Sequence, residues 1–251
     1  MATGILRIQA FAARQSSPIE GVTVNVSGDG FTATRLTDAE GNAADVTLTT
    51  PACALSLDED NTTQAPYAVC SLVASKPGYR TVRIQGVQVF PGQVTLAQPE
   101  MIPDTEEMRD TPNAPIVIPP HSLFTGNGGS GPTPSLACTP RVLDRVIIPK
   151  NITVHLGRPA ASAQNVTVSF RRYIANVASS EVYPTWPEQA LRANIHCQIS
   201  LALNRIYTEW YPSKGYTFNI TNSTSYDQYY VHGRTVFDVM VRITDDIFNT
   251  Y

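Results

Sequence analysis

The sequence predicts a multidomain chain: an N-terminal all-β sandwich followed by a C-terminal α+β domain with a long amphipathic helix. Three observations carry this. Residues 4–98 alternate apolar and polar side chains between turn signals, the period-two pattern of half-buried strands. Nine prolines fall between Pro99 and Pro140, with the run Gly126-Asn127-Gly128-Gly129-Ser130-Gly131 among them. After Trp186, apolar residues recur at spacings of three and four, which is helical. The predicted boundaries are 1–100 for the β module, 101–140 for a Pro/Gly-rich linker and 141–251 for the second domain.

Taken in order, Leu6, Ile8 and Ala10 share one face of a first strand, with Arg7 and Gln9 on the other. Pro18-Ile19-Glu20-Gly21 breaks it, and Val22, Val24 and Val26 repeat with period two. Ser27-Gly28-Asp29-Gly30 is turn chemistry, as is Thr37 to Asn42; strands follow at Ala44 to Leu48, Tyr67 to Ala74 and Thr81 to Val89. Short strands at near-regular spacing with no helical period indicate a sandwich. The linker is too poor in apolar residues to offset its ordering entropy and is an expected site of proteolysis; Ile116-Val117-Ile118 is a short extended stretch suited to packing on a neighbour. Strands are predicted at Ile152 to Leu156 and Val166 to Phe170, then helices at Phe170 to Ser180, Trp186 to Tyr211 and Val236 to Phe248. In the longest of these, Leu191, Ile195, Ile199, Ala202 and Ile206 form the apolar stripe, Pro187 suits its first turn, and Pro212 with Gly215 ends it.

Composition narrows the function classes. With 18 Lys+Arg against 21 Asp+Glu, a net charge of −3 and 16% charged residues over 251 positions, the chain lacks the cationic balance of a general nucleic-acid binder. No apolar run reaches the ~18–20 residues of a membrane span, and MATGILRIQAFAAR lacks the apolar core of a recognisable signal peptide. Cysteines at 53, 70, 138 and 197 show no metal-ligand spacing; Cys53 and Cys70 could pair across a hairpin, although free thiols are the plainer reading. His196 and Cys197 are adjacent, about 100° apart on a helix, and cannot chelate one ion together. No metal or cofactor is therefore expected. Ser179-Ser180 has no His-Asp pattern for a serine hydrolase, and Gly128-Gly129-Ser130-Gly131 lacks the Lys of a phosphate loop.

The stretch from Tyr173 to Asn194 is the most informative. Glu181 stands at the end of an uncharged, largely apolar helical stretch, residues 173–180, before a Tyr183-Pro184-Thr185-Trp186 loop. A carboxylate among such neighbours loses hydration in its charged form, which raises its pKa and suits it to general-acid work. From the residues alone, a solvated or capping role competes with that one. Glu188 falls in the first turn of the next helix, where capping explains it, and His196 lies beside the stripe as a structural residue.

These residues carry a resemblance. Tyr173, Val177, Ser180-Glu181, Pro184, Trp186-Pro187 and Ala190-Leu191-Arg192-Ala193 resemble the stage II sporulation protein D (SpoIID/LytB) family of peptidoglycan lytic transglycosylases. The longer run from His155-Leu156-Gly157-Arg158-Pro159 through Tyr226-Asp227-Gln228 is similar to spore cortex-lytic enzymes of the clostridial type. The N-terminal turns resemble carboxypeptidase-regulatory or transthyretin-like β-sandwiches. The resemblance implies an enzyme that cleaves the bond between N-acetylmuramic acid and N-acetylglucosamine with one acid, Glu181, and leaves a 1,6-anhydro product. It places Arg192 as a catalytic basic partner, where the family carries a basic residue that steadies the charge near the acid or holds substrate. From the residues themselves, Tyr183 and Trp186 suit stacking in a sugar-binding groove, with core or loop packing as the competing role, and Tyr226, Asp227 and Gln228 form a polar loop suited to reach that groove, with a plain turn as the alternative. It further implies peptidoglycan strands as partner, a spore cortex location, and an activating protease acting at the linker. The alternative is a non-catalytic glycan-binding or structural protein of the spore or cell wall. The chain departs from the family at Ile199, where an arginine is usual, and in lacking the Ser-Gln-Trp/Tyr-Gly segment that follows in family members, so an incomplete C-terminus is expected.

Overall fold

A computed structural model of the protein describes residues 2–12, 17–106, 112–125 and 147–250. It divides into two compact units, one of Met1–Pro120, Tyr183–Trp186 and His232–Val239, the other of His121–Val182, Pro187–Val231 and Met240–Tyr251.

The first unit carries β1 (Ala2–Gln9), β2 (Phe11–Ala12), β3 (Ser17–Pro18), β4 (Thr23–Gly28), β5 (Phe31–Leu36), β6 (Asn42–Thr50), β7 (Ala68–Ser75), β8 (Val82–Val89), β9 (Val94–Ala97), β10 (Ile116–Val117) and the late strand β14 (Val236–Phe237). They form a four-stranded sheet in the order β14-β9-β1-β6, a five-stranded sheet in the order β10-β8-β7-β4-β5, and the small β2-β3 hairpin. The alternation in the sequence is met by the burial. Leu6 and Ile8 of β1, Val24 and Val26 of β4, Val46 and Leu48 of β6, Leu72 and Ala74 of β7 and Ile84 and Val87 of β8 enter one shared hydrophobic core. Each such Val, Leu or Ile contributes about 1.5–3 kcal/mol through its removal from water. A one-residue slip in any of these strands would turn its apolar set outward, so the pattern also fixes the register.

The segment expected as a linker is partly built into this unit. Met101 is fully buried and its N–H donates to the Phe11 carbonyl. β10 pairs in parallel with β8, Ile116 opposite Ile84, as the extended reading of 116–118 anticipates. The close approach requires Gly86, whose φ is +76°; a Cβ there would lie 2.1 Å from the Ile118 carbonyl oxygen. The glycine run 126–131, Cys138 and residues 107–111 lie outside the described residues.

The second unit holds β11 (Asn151–His155), β12 (Asn165–Ser169) and β13 (Ile220–Thr221), in the order β12-β11-β13, together with α1 (Phe170–Glu181), α2 (Glu188–Tyr207) and most of α3 (Asp238–Thr250). α1 starts where the Ser169 hydroxyl accepts the Arg172 N–H. It stops at Glu181 because Val182 is extended ahead of Pro184. Its residues 173–180 are all buried, which their apolar or small side chains permit.

Two helices differ from the sequence-based bounds. α2 ends at Tyr207, short of Tyr211, since Glu209 takes a left-handed φ of 50° and breaks the ladder. The helix predicted from Val236 begins at Asp238, because Val236 and Phe237 pair with Leu96 and Thr95 of β9. Cross-strand pairing of a β-branched and an aromatic residue overrides the helical period there.

Candidate functional site

Glu181 is the last residue of α1 and half-buried. One carboxylate oxygen, Oε1, accepts the Tyr229 backbone N–H at 2.9 Å, and the other, Oε2, accepts the Gln198 side-chain amide at 2.9 Å. Burial raises the Glu181 carboxyl above its usual range; the two hydrogen bonds pull the other way, and burial prevails. Its place at the negative end of a helix acts in the same direction as burial. Among the described residues no Lys, Arg or His forms an ion pair with it.

The segment that brings the Tyr229 N–H to Glu181 is stitched down along its length. The Asp227 side chain, fully buried, accepts from Arg205 Nε at 2.6 Å, the Tyr211 hydroxyl at 2.6 Å, and the Thr221 N–H and hydroxyl at 3.0 and 2.7 Å. Gln228 accepts the Tyr173 hydroxyl at 3.0 Å and donates to the Gln198 carbonyl at 3.1 Å. Beyond Tyr229, Val231 and the Asn176 side chain exchange two bonds at 2.9 and 3.1 Å. Residues of α1 and α2 thus hold this segment on either side of the donor, Tyr173 and Gln198 through the Gln228 side chain and Asn176 through the Val231 backbone, and all three come from buried helix faces.

This alters the roles expected of several residues. The side chains of Asp227 and Gln228, expected as substrate contacts, are buried and hold the chain instead; both Asp227 carboxylate oxygens are occupied by the protein. Tyr226 remains 41% exposed and open to a ligand. Arg192, expected beside the acid, donates to Glu188 at 2.9 Å and to Asp246 at 2.7 Å, one turn back on α2 and on α3. The reason is its side of the helix. Leu191 and Ile195 face inward and Arg192 sits next to them on the rim, within reach of the carboxylates of its own helix and of α3. Arg242 reaches Glu188 at 2.9 Å and completes that surface network, so Glu188 serves an ion pair as well as the helix N-terminus.

Tyr183 and Trp186 belong to the first unit. Tyr183 is buried, its ring 5.3 Å from that of Phe90, and burial pushes its phenol up to about 12. The Trp186 indole N–H donates to the Ser56 carbonyl at 3.2 Å, and the Thr185 hydroxyl donates to the Ser56 hydroxyl at 2.8 Å. Both aromatic side chains are used in packing.

The sequence reading did not single out Gln198, Asn194, Asn176, Arg205 or Tyr229. One signal was present. Gln198 and Arg205 fall on the stripe of α2 at Leu191, Ile195, Ile199 and Ala202, and polar residues at core positions need partners. Among the described residues no group of three or more His, Cys, Asp or Glu side chains gathers so as to hold a metal ion, and no helix is long and apolar enough to cross a membrane. Cys53 and Cys197 are exposed free thiols; Cys70 is buried, which pushes its thiol up to about 12.

No family model and no curated protein matches the sequence. Solved structures give partial likenesses. The Bacillus anthracis TIE protein is 15% identical at a TM-score of 0.29, over 41% of this chain and 17% of its own. The Klebsiella pneumoniae 5-hydroxyisourate hydrolase is 21% identical at a TM-score of 0.28, over 42% of this chain and 93% of its own. Catechol 1,2-dioxygenase from Acinetobacter sp. ADP1 is 14% identical at a TM-score of 0.29, over 47% and 58%. This chain therefore spans less than a fifth of the first of these proteins and less than two thirds of the third.

Proposed function

We propose that the second unit is a peptidoglycan lytic transglycosylase that cleaves N-acetylmuramic acid–N-acetylglucosamine bonds of spore cortex glycan, with Glu181 as its acid. The supporting observation is the carboxyl itself: half-buried, raised above the usual range, and held on both oxygens by donors that do not move with solvent. Burial moves such a carboxyl toward its protonated form, the form a general acid needs. Hydrolytic glycosidases work with two carboxylates at a set separation. Here the buried carboxylate nearest in sequence to the Glu181 donor, Asp227, is fully engaged with Arg205, Tyr211 and Thr221, which favours single-acid chemistry.

The chemistry closes on one group. Protonated Glu181 gives its proton to the glycosidic oxygen, and the bond from that oxygen to the muramic C1 breaks. The muramic C6 hydroxyl attacks C1, and its proton passes to the Glu181 carboxylate. The acid is regenerated, no water is consumed, and the product is a 1,6-anhydro sugar. The Tyr229 N–H and the Gln198 amide meet the carboxylate formed midway.

The finer architecture belongs to the same proposal. The first unit is a transthyretin-like β-sandwich, α2 is the long amphipathic helix of the catalytic domain, and the Pro/Gly-rich segment is the place where an activating protease acts during germination.

Incubating the protein and its Glu181→Gln variant with purified cortex peptidoglycan, followed by mass spectrometry of soluble products, tests the reading. Anhydromuropeptides from the wild type, reduced by about 10²–10⁴-fold in the variant, are expected. Equal release from both would overturn the role of Glu181. Binding without release from either would favour a non-catalytic glycan-binding protein, a reading for which the burial of Asp227 and Gln228 leaves Tyr226 as a surface contact.

A further inference from the structure

We infer that Gln198 is the positioning residue of this site, its side-chain amide holding Glu181 Oε2 and favouring release of the Glu181 proton. The inference rests on the reading of Glu181 as the acid and goes beyond it by assigning what sets its acid strength.

The geometry of Gln198 has no other evident purpose. Its side chain is only 4% exposed, on the inward stripe of α2, where an apolar residue would fit the helical period. Both amide hydrogens have acceptors, Glu181 Oε2 at 2.9 Å and Asn194 Oδ1 at 2.6 Å. Its own Oε1 is buried with no hydrogen-bond partner among the described residues. A buried orphan carbonyl is costly, and an amide placed for packing alone would be turned to satisfy it. Reversal here would set that oxygen against the oxygens of Glu181 and Asn194. The amide is therefore held in its orientation by acceptors, and the charged acceptor is the strong one. Gln198 is also fixed from behind, since Gln228 donates to its backbone carbonyl at 3.1 Å.

The groups facing Glu181 leave this role to Gln198. On α1 the Tyr173 phenol donates to Gln228, and from the 227–231 segment comes a backbone N–H, while the charges of Asp227 and Arg205 satisfy one another. Gln198 supplies the side-chain hydrogen bond to the carboxylate. Donors favour the ionised form and burial disfavours it, so the amide offsets part of the burial and keeps Glu181 a usable acid.

The test pairs Gln198→Met, of similar volume without a donor, with Gln198→Glu, which sets a second carboxyl against the first. Ser200→Ala, at an exposed position of α2 whose hydroxyl donates to the His196 carbonyl, serves as control. In the full chain, the Glu181 side-chain carboxyl is followed by carbon NMR against pH, assigned with the Glu181→Gln variant, and anhydromuropeptide release is measured across the same pH range. Gln198→Met is expected to titrate Glu181 at higher pH, move the alkaline limb of the release profile upward and lower maximal turnover about 10-fold, the size of one hydrogen bond to a charge. Gln198→Glu displaces the titration further in the same direction. Ser200→Ala follows the wild type. An undisplaced titration in both Gln198 variants overturns the inference whatever the activity. A displaced titration with no anhydro product from any protein, wild type included, overturns the acid reading and upholds the hold of Gln198 on the carboxylate.

Discussion

The Asp227–Arg205 pair is the most consequential contact outside the Glu181 carboxyl, and its loss is calculable. The Asp227 side chain is 0% exposed and that of Arg205 6%, with 2.6 Å between the charged atoms. Truncation by Asp227→Ala strands a guanidinium in the interior and frees the Tyr211 hydroxyl and both Thr221 donors. Breaking one side of such a pair costs about 3–5 kcal/mol. Asp227→Asn fares little better. Its amide nitrogen must face either Arg205 Nε–H or the Thr221 backbone N–H, and neither can accept. With a urea dependence of about 2 kcal/mol per molar, the midpoint of the second unit falls by about 1.5–2.5 M. The assay needs a probe confined to that unit. The chain has 2 tryptophans, so in a Trp186→Phe background fluorescence reports Trp210 alone, whose ring lies 4.6 Å from the Arg205 guanidinium. Replacing both partners, as Asp227→Ala with Arg205→Met, removes the stranded charge and should recover most of the loss. A midpoint shift under about 0.5 M for Asp227→Ala, or a double variant as unstable as the single one, would refute the reasoning.

Glu181 also links stability to pH. Its folded carboxyl is raised by burial, so its contribution is full below the ordinary carboxylate range and is lost as pH rises through the folded value. The midpoint of the wild type relative to Glu181→Gln should therefore fall as pH rises above the ordinary carboxylate range of about 4; a flat or rising difference would contradict the assignment. Arg192→Ala should leave anhydromuropeptide release close to the wild type, because its guanidinium serves Glu188 and Asp246, whereas a loss matching that of Glu181→Gln would return Arg192 to the chemistry.

The strands of the first unit were legible because period-two burial is local: Val22, Val24 and Val26 declare their inner face whatever they pair with. α1 was legible for the same reason, with a serine cap at one end and the Val182-Tyr183-Pro184 turn at the other. What the sequence hid depends on partners far along the chain. Nothing local says that Val236 joins Leu96, that Met101 enters the core beside Phe11, or that Trp186 reaches Ser56 across 130 positions. The candidate site divides the same way. Glu181 could be found from its own surroundings, since it is the one charged residue after an uncharged run from Tyr173 to Ser180. Its two donors could not. Tyr229 acts through a backbone N–H that any residue carries, and Gln198 sits where an apolar count passes over it. Asp227 and Gln228 are polar residues of a loop, a pattern that suggests contact with a ligand. Their burial reverses that reasoning: a polar side chain with all its hydrogen bonds met inside the protein is a fastener, and the loop's contribution to the site is the main-chain donor it fastens. The same argument sets the order of experiment, because a substitution at Asp227 that lowers activity would do so by releasing the Tyr229 N–H, and only a measurement at the Glu181 carboxyl separates that from loss of a substrate contact.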